Sequence, residues 1–295
     1  MKEIKGVNEV KEPKRGVAAF FDLDGTLMAR PSMERRFFRL LRCRREIGLR
    51  NYCLWLREAL RLMEGGKGKM LRANKMYVRG VQNFDGRAVR GNGISTAHKS
   101  DDQVEGQTVA SLRGNPRLPV VVFFTGAVER VAWHAKEGHT IVLLSGTLEP
   151  LAKEAARSLE AELAVRAITT RVWVCATRLE EKDGRWTGRI LDEAMIGETK
   201  ARAAKQLAEE LRLDRGQCYA YGDSSNDRWL METVGRPAAV NPSKELAGIA
   251  RTHRWPILNW EEKENVTQSA QRSRREEKTA QRVRRMELVR PGNQE

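Results

Sequence analysis

The stretch Phe20-Phe21-Asp22-Leu23-Asp24-Gly25-Thr26-Leu27 constrains the fold more than any other in the chain. Val17 to Phe21 is a short apolar run, the pattern of a strand buried on both faces, and Gly25 breaks it. Asp22 and Asp24 are therefore expected where the strand ends, at the ligand-binding edge of an open α/β sheet. Two acids separated by one residue lie on a common face of a strand only while it runs on, but in a turn beyond it both can reach one centre. One can then attack while the other handles protons. Read alone, Asp-x-Asp-Gly is equally a surface turn or part of a calcium loop.

Three further stretches narrow the choice. Ile141-Val142-Leu143-Leu144 reads as a second apolar strand, ending in Ser145-Gly146-Thr147. Thr199-Lys200 opens an amphipathic helix, and Cys218-Tyr219-Ala220-Tyr221 is a third strand, ending in Gly222-Asp223-Ser224-Ser225-Asn226-Asp227. In this order the four stretches resemble the four motifs of the haloacid dehalogenase-like phosphohydrolases, from about Val17 to about Trp260. From Gly184 onward the chain is most similar to the phosphoserine phosphatase-like branch, subfamily IB. That similarity is carried by Asp183-Gly184-Arg185-Trp186-Thr187-Gly188-Arg189, Ala220-Tyr221-Gly222-Asp223-Ser224, Ala239-Val240-Asn241-Pro242 and Trp255-Pro256.

The resemblance implies an α/β fold: a Rossmann-like, doubly wound parallel sheet with an inserted, mainly helical cap of the C1 type and a charged C-terminal tail. The expected division is a charged segment at 1–15, a catalytic core at 16–27 and 117–260, a cap at 28–116 and a tail at 261–295. By the same resemblance, Asp22 is the nucleophile that becomes an aspartyl-phosphate, and Asp24 protonates the leaving oxygen and later activates water. Ser145, Gly146 and Lys200 bind the substrate phosphate. Mg²⁺ is held by Asp22, the Asp24 carbonyl and Asp223, with Asp227 a ligand or an organiser of ligands.

The residues themselves support parts of this. Ser145 is expected at a helix start, where hydroxyl and backbone amides face an anion, although a plain N-cap is the simpler reading. Lys200 is by spacing alone a solvated helix residue. Asp223 and Asp227 are i,i+4 across a loop entering a helix, so both can point at one site. Carboxylates without Cys or His neighbours suit a hard, oxygen-liganded ion such as magnesium.

Composition bounds the remaining choices. The 295 residues can bury a large core with an insertion. Mean hydropathy is −0.58, and no apolar run approaches the roughly 20 residues of a membrane span. Met1 to Arg15 is charged and lacks a secretory pattern, so a cytoplasmic setting is expected. Cys43, Cys53, Cys175 and Cys218 lack metal-ligand spacing and read as buried free thiols in helices or strands. His98, His134, His139 and His253 have no catalytic partner nearby in sequence and read as packing or surface residues. The net charge of +15 is concentrated between Met28 and Gly80, where Arg35, Arg36, Arg39, Arg42 and Arg45 face few acids.

Along the chain, Ser32 is the expected N-cap of a helix that carries Phe37, Phe38, Leu40 and Leu41 and stops at Gly48. A second helix carries Tyr52, Trp55, Leu56, Leu60 and Met63, read as core between packed helices, and runs out at Gly65-Gly66. A third is expected from about Lys69 to Val81. Residues 83–116 keep neither period. Order resumes at Val120 to Phe124, followed by helices at Gly126 to Glu137 and Leu151 to Leu163. Val172 to Thr177 is read as running into a hairpin that turns at Asp183-Gly184, and Ala238 to Val240 as a fifth sheet strand.

The function expected from all this is magnesium-dependent hydrolysis of a small phosphorylated metabolite, phosphoserine-like substrates included. Gly25 stands where phosphoserine phosphatases have Ser; they also carry a selecting Glu shortly after the motif, where Met28-Ala29-Arg30 follows here and Glu34 does not sit at an obvious match, which counts against serine itself. Two alternatives stay open: a phosphatase for nucleic-acid ends or anionic lipid headgroups, drawing on the basic cap but not favoured, and a non-catalytic nucleic-acid-binding protein of the same fold.

Overall fold

The computed structural model describes residues 16–63, 74–83 and 118–261. The charged segment at 1–15, most of the irregular stretch at 83–116, the tail beyond 261, Gly65-Gly66 and His98 lie outside the described residues.

A six-stranded parallel sheet organises the molecule in the order β3-β2-β1-β6-β7-β8. Its strands are β1 (Ala18–Phe21), β2 (Thr140–Leu148), β3 (Val172–Thr177), β6 (Tyr219–Gly222), β7 (Arg236–Val240) and β8 (Ile257–Leu258). A separate antiparallel hairpin joins β4 (Leu179–Lys182) to β5 (Arg185–Ile190). All four β1 residues are buried because the sheet is covered on both faces, so an uninterrupted apolar run is what this strand requires. Ala19 and Phe21 of β1, with Ile141 and Leu143 of β2, pack on one side against α3 (Thr125–Lys136) and α4 (Glu149–Ala164). Ala18, Phe20, Val142 and Leu144 pack on the other against α5 (Glu198–Glu210), α6 (Arg228–Met231) and α7 (Lys244–His253).

The chain leaves β1 towards β2 and β3 on one side and returns to β6, β7 and β8 on the other. The crevice beyond the C-terminal ends of β1 and its neighbours is therefore the switch point at which such sheets bind ligands.

Between β1 and α3 the described chain forms α1 (Met33–Cys43) and α2 (Leu49–Leu62), neither joining the sheet. Ser32 caps α1 by accepting from the Arg35 amide at 3.3 Å. The α1 helix ends at Cys43, and Gly48 instead supplies the N-cap of α2. The third helix expected from about Lys69 is, within residues 74–83, a single 3₁₀ turn at Met76–Val78. Side-chain amides fix that segment to α2: Asn51 donates to the Tyr77 and Arg79 carbonyls, and Asn74 donates to the Trp55 carbonyl. The β4–β5 hairpin packs here too, with backbone bonds between Trp186 and Val81 and between Gly80 and Trp186.

Three expectations need correction. Val172 to Thr177 is not in the hairpin but pairs with β2 as the edge of the main sheet, because period-2 alternation does not distinguish the two pairings. Most of the second-helix residues read as core are not: Tyr52, Leu56, Leu60 and Met63 are exposed, while Trp55 is half-buried against the core and only Ala59 of α2 is fully buried. Cys43 and Cys53 are exposed and Cys175 half-buried, so only Cys218 is a buried thiol.

Candidate active site

Asp22 follows β1 directly, its amide bonded to the Tyr221 carbonyl at 3.0 Å. The chain then folds back: the Gly25 amide donates to the Met28 carbonyl at 2.7 Å, and the Leu27 and Met28 amides donate to the Leu23 carbonyl. This turn brings Asp24 beside Asp22, and the Asp24 carboxylate accepts from the Met33 amide at 2.6 Å, coupling it to the start of α1. Gly222, the last residue of β6, permits a close approach of its own: a Cβ there would lie 2.4 Å from the Asp227 Cβ.

Lys200 reaches the cluster from the first turn of α5. Its ammonium donates to Asp22 Oδ1 at 2.5 Å and to Asp227 Oδ1 at 2.7 Å. It is buried, not the solvated residue that spacing alone allowed. Asp227 is held from its other oxygen by the Ser224 amide and hydroxyl. Asp223 accepts from Arg30 at 2.6 Å, and its carbonyl accepts from the Ser243 amide.

All seven residues expected at the site, Asp22, Asp24, Ser145, Gly146, Lys200, Asp223 and Asp227, border one cavity of about 780 Å³. Ser145 and Gly146 are placed differently from expectation. They lie within β2, which continues to Leu148 before α4 begins, so Ser145 is not at a helix N-terminus. A register shift against β3 between Ser145 and Leu148 bends the strand there.

Burial raises the Asp22 carboxyl well above the usual carboxylate range against the pull of Lys200, with repulsion from Asp227 and Asp223 adding to it. Burial also lifts Asp24 to about 6, and Asp223 upward despite Arg30. Burial alone would lower the Lys200 ammonium, but Asp22 and Asp227 outweigh it and raise it. Four carboxylates thus share one buried lysine and one arginine whose side chain is 67% exposed. Oxygens of Asp22, Asp223 and Asp227 lie within 4.8 Å of one another. An all-oxygen set with excess negative charge fits a hard divalent cation.

Several site residues were not singled out by sequence reasoning. Arg30 meets Asp223 across 193 positions. Thr147 is buried with its hydroxyl unpartnered among the described residues, and it borders the cavity; its place two residues after Ser145 was the only available signal. Glu34 of α1 also borders the cavity, where Lys75 and Tyr77 donate to it. Of Arg35, Arg36, Arg39, Arg42 and Arg45, only Arg35 lines the cavity. Arg36 donates to the Pro31 and Ala29 carbonyls, and Arg42 lies over the Phe38 ring.

A doubly wound parallel sheet with this carboxylate–lysine cluster at its switch point defines an enzyme of the Rossmann-like α/β class. The family model for haloacid dehalogenase-like hydrolases matches residues 19–232, and the chain belongs to that family. It is 28% identical over 265 residues to the "inhibition of morphological differentiation protein" of Streptomyces azureus, covering 87% of this chain and 82% of that one. It is 28% identical over 248 residues to a phosphoserine phosphatase of Mycobacterium tuberculosis, covering 82% of this chain and 70% of that one. Among solved structures, a protein of unknown function from Bordetella pertussis Tohama I superposes with a TM-score of 0.54 at 22% identity, covering 83% of this chain and 99% of that one. That likeness is one of fold.

Proposed function

We propose that the protein is a magnesium-dependent phosphomonoesterase that acts on a small phosphorylated metabolite through an aspartyl-phosphate on Asp22. The observation that carries this reading is Lys200 joined to both Asp22 and Asp227 inside the cavity at the end of β1. A carboxylate held by a buried ammonium is oriented and shielded from water, and the ammonium opposes the burial and the neighbouring carboxylates that favour its protonated form.

In the first step an Asp22 oxygen attacks phosphorus and the bond from phosphorus to the ester oxygen breaks, while Asp24 delivers its proton to that leaving oxygen. In the second, water attacks phosphorus, Asp24 takes a proton from it, and the Asp22 carboxylate leaves, releasing inorganic phosphate. Lys200 holds Asp22 throughout. Thr147, with its unsatisfied hydroxyl, and Ser145 donate to phosphate oxygens beside the Gly146 backbone. Asp22, Asp223 and the Asp24 carbonyl would hold Mg²⁺, with Asp227 organising Lys200 and the Ser224 loop. Bound there, the ion supplies the positive charge that offsets the phosphoryl oxygens and the surplus carboxylates.

The division into a core at 16–27 and 117–260 and a cap at 28–116 belongs to the same reading, supported by α1 and α2 standing outside the sheet. So does a cytoplasmic setting, since four free thiols suit a reducing compartment. Among the described residues no helix is long and apolar enough to cross a membrane. A polyanion partner for the basic cap has less to draw on, because Arg36 and Lys75 are turned to internal acceptors and Arg61 is paired with Glu58 on the surface.

The test is phosphate release from a panel of phosphate monoesters with Mg²⁺, by the wild-type chain and by Asp22→Asn. Release by the wild type alone supports the reading. No release from any ester, or undiminished release by the variant, overturns it.

A further inference from the structure

We propose that the cavity above the carboxylates selects phosphate monoesters whose alcohol carries a flat aromatic body, and that ring faces of α1 and α2, not a charged pair, provide the recognition. The proposal takes only the phosphate end of the substrate from the phosphatase reading above.

Phe38, Tyr52, Trp55 and Tyr77 border the same cavity as Asp22 and Lys200. Phe38 is flanked edge-on by Tyr52 at 6.3 Å and 81° and by Tyr77 at 5.3 Å and 82°. Tyr77 belongs to the core, but the other three rings keep accessible surface: Phe38 and Trp55 are half-buried against that core, and Tyr52 is 40% exposed. An amphipathic helix ordinarily turns its apolar face inward, yet α2 presents Tyr52 and Trp55 to a cavity. Aromatic side chains bordering a polar-bottomed cavity of this size are what a small apolar ligand body requires.

The polar groups on the same wall are already engaged. Glu34 is the only acidic residue from α1, α2 or residues 74–83 that borders the cavity. Lys75 donates to both its oxygens, at 2.7 and 2.6 Å, and the Tyr77 hydroxyl donates at 2.7 Å. Lys75 is 3% exposed and balances the charge of Glu34, so a substrate ammonium reaching Glu34 from the cavity would have to share that carboxylate with a buried lysine. The Tyr77 hydroxyl is kept protonated by burial and by the charge of Glu34, and it stays a donor in that set. Ser32 accepts from the Arg35 amide as the cap of α1. Apart from Arg35, the Ser32 hydroxyl hydrogen and the engaged Glu34, what this wall offers a substrate is aromatic surface.

The test is calorimetric binding of 2-phenylethylphosphonate, ethylphosphonate and 2-aminoethylphosphonate, with Mg²⁺ present, to the wild-type chain, Tyr52→Ala and Phe38→Leu. Melting curves establish that the variants fold, and the exposed Tyr52 is the safer of the two positions. The phenylethyl compound should bind at least about tenfold tighter than the ethyl compound. The aminoethyl compound should bind no tighter than the ethyl compound, and both variants should reduce the phenylethyl-to-ethyl ratio by about threefold or more. Equal affinities for the phenylethyl and ethyl compounds, tightest binding of the aminoethyl compound, or failure of the phenylethyl compound to bind at millimolar concentration would each overturn the proposal. Phosphonates are not hydrolysed, so the ratio is read without turnover. An intact ratio in a chain that releases no phosphate refutes only the catalytic reading, and phosphate release without the ratio refutes only the ring recognition.

Discussion

A Cβ atom on Gly25 would lie 2.1 Å from Asp223 Oδ2, and Gly25 itself sits at φ +102°. The turn that carries Asp24 and the loop that carries Asp223 therefore fit together only because residue 25 has no side chain. Gly25→Ala must strain the backbone and push Asp223 away from Asp22, and a displacement near 1 Å at a reacting centre costs roughly 100-fold in rate. We expect kcat/KM to fall by about that factor or more, with a stability loss on the order of 1–3 kcal/mol. An alanine variant with wild-type kcat/KM would show that this contact does not set the geometry.

Asp24→Asn removes the proton donor and leaves the nucleophile in place. Its loss in kcat should be large, on the order of 100-fold or more, for alkyl phosphates and much smaller for esters of acidic phenols, whose leaving oxygen needs no proton. A leaving-group series in the wild type and the variant measures this. An equal loss across the series would remove the acid role.

Activity should disappear in excess chelator and return with Mg²⁺. Ca²⁺ should inhibit, because it accepts more ligands at longer distances and misplaces the phosphoryl group. The surplus of carboxylates also predicts that Mg²⁺ raises the melting temperature of the wild type, and raises it less in Asp223→Asn. A melting temperature insensitive to Mg²⁺ in both chains would count against the assigned ligands.

His134 lies fully buried on α3, 2.8 Å from the His139 ring nitrogen and 2.9 Å from the Tyr221 hydroxyl, with Tyr219, Phe21 and Trp133 packed around it. Burial, with His139 and Arg130 adding, lowers its imidazole to about 3 from the ordinary 6.5. The folded value lies below the unfolded one, so the unfolded chain takes up the extra proton. The stabilising contribution is full above about pH 6.5 and is lost as pH falls towards 3. Between pH 7.5 and 5.0 urea denaturation should show the wild type losing about 2 kcal/mol more than His134→Gln. Parallel losses in the two chains would place the acid sensitivity elsewhere.

The parts of the site legible in the sequence were those fixed by strand ends. Apolar runs closed by Asp22, Ser145 and Asp223 announce buried parallel strands, and once those strands lie side by side their ends must converge. Lys200 was legible only through the motif order, since nothing local separates a buried helix lysine from a solvated one. Glu34, Lys75 and Tyr77 were not legible, because their meeting depends on how α1 packs against a segment 41 to 43 residues later. Ser145 was misplaced because Ser-Gly-Thr has the local chemistry of a turn, which pairing with β3 overrides. The rings of α2 were read as core because helical spacing reports an apolar face without saying whether protein or ligand covers it.

The central claim is covalent: phosphate passes through Asp22. The direct measurement is an acid quench of the wild-type chain during turnover of a ³²P-labelled monoester with Mg²⁺, followed by mapping of hydroxylamine-labile label to a peptide. The account predicts label on the peptide containing Asp22, appearing before steady state and absent from Asp22→Asn. Turnover with no enzyme-bound label under conditions that trap an acyl phosphate, or label on any other residue, would contradict it.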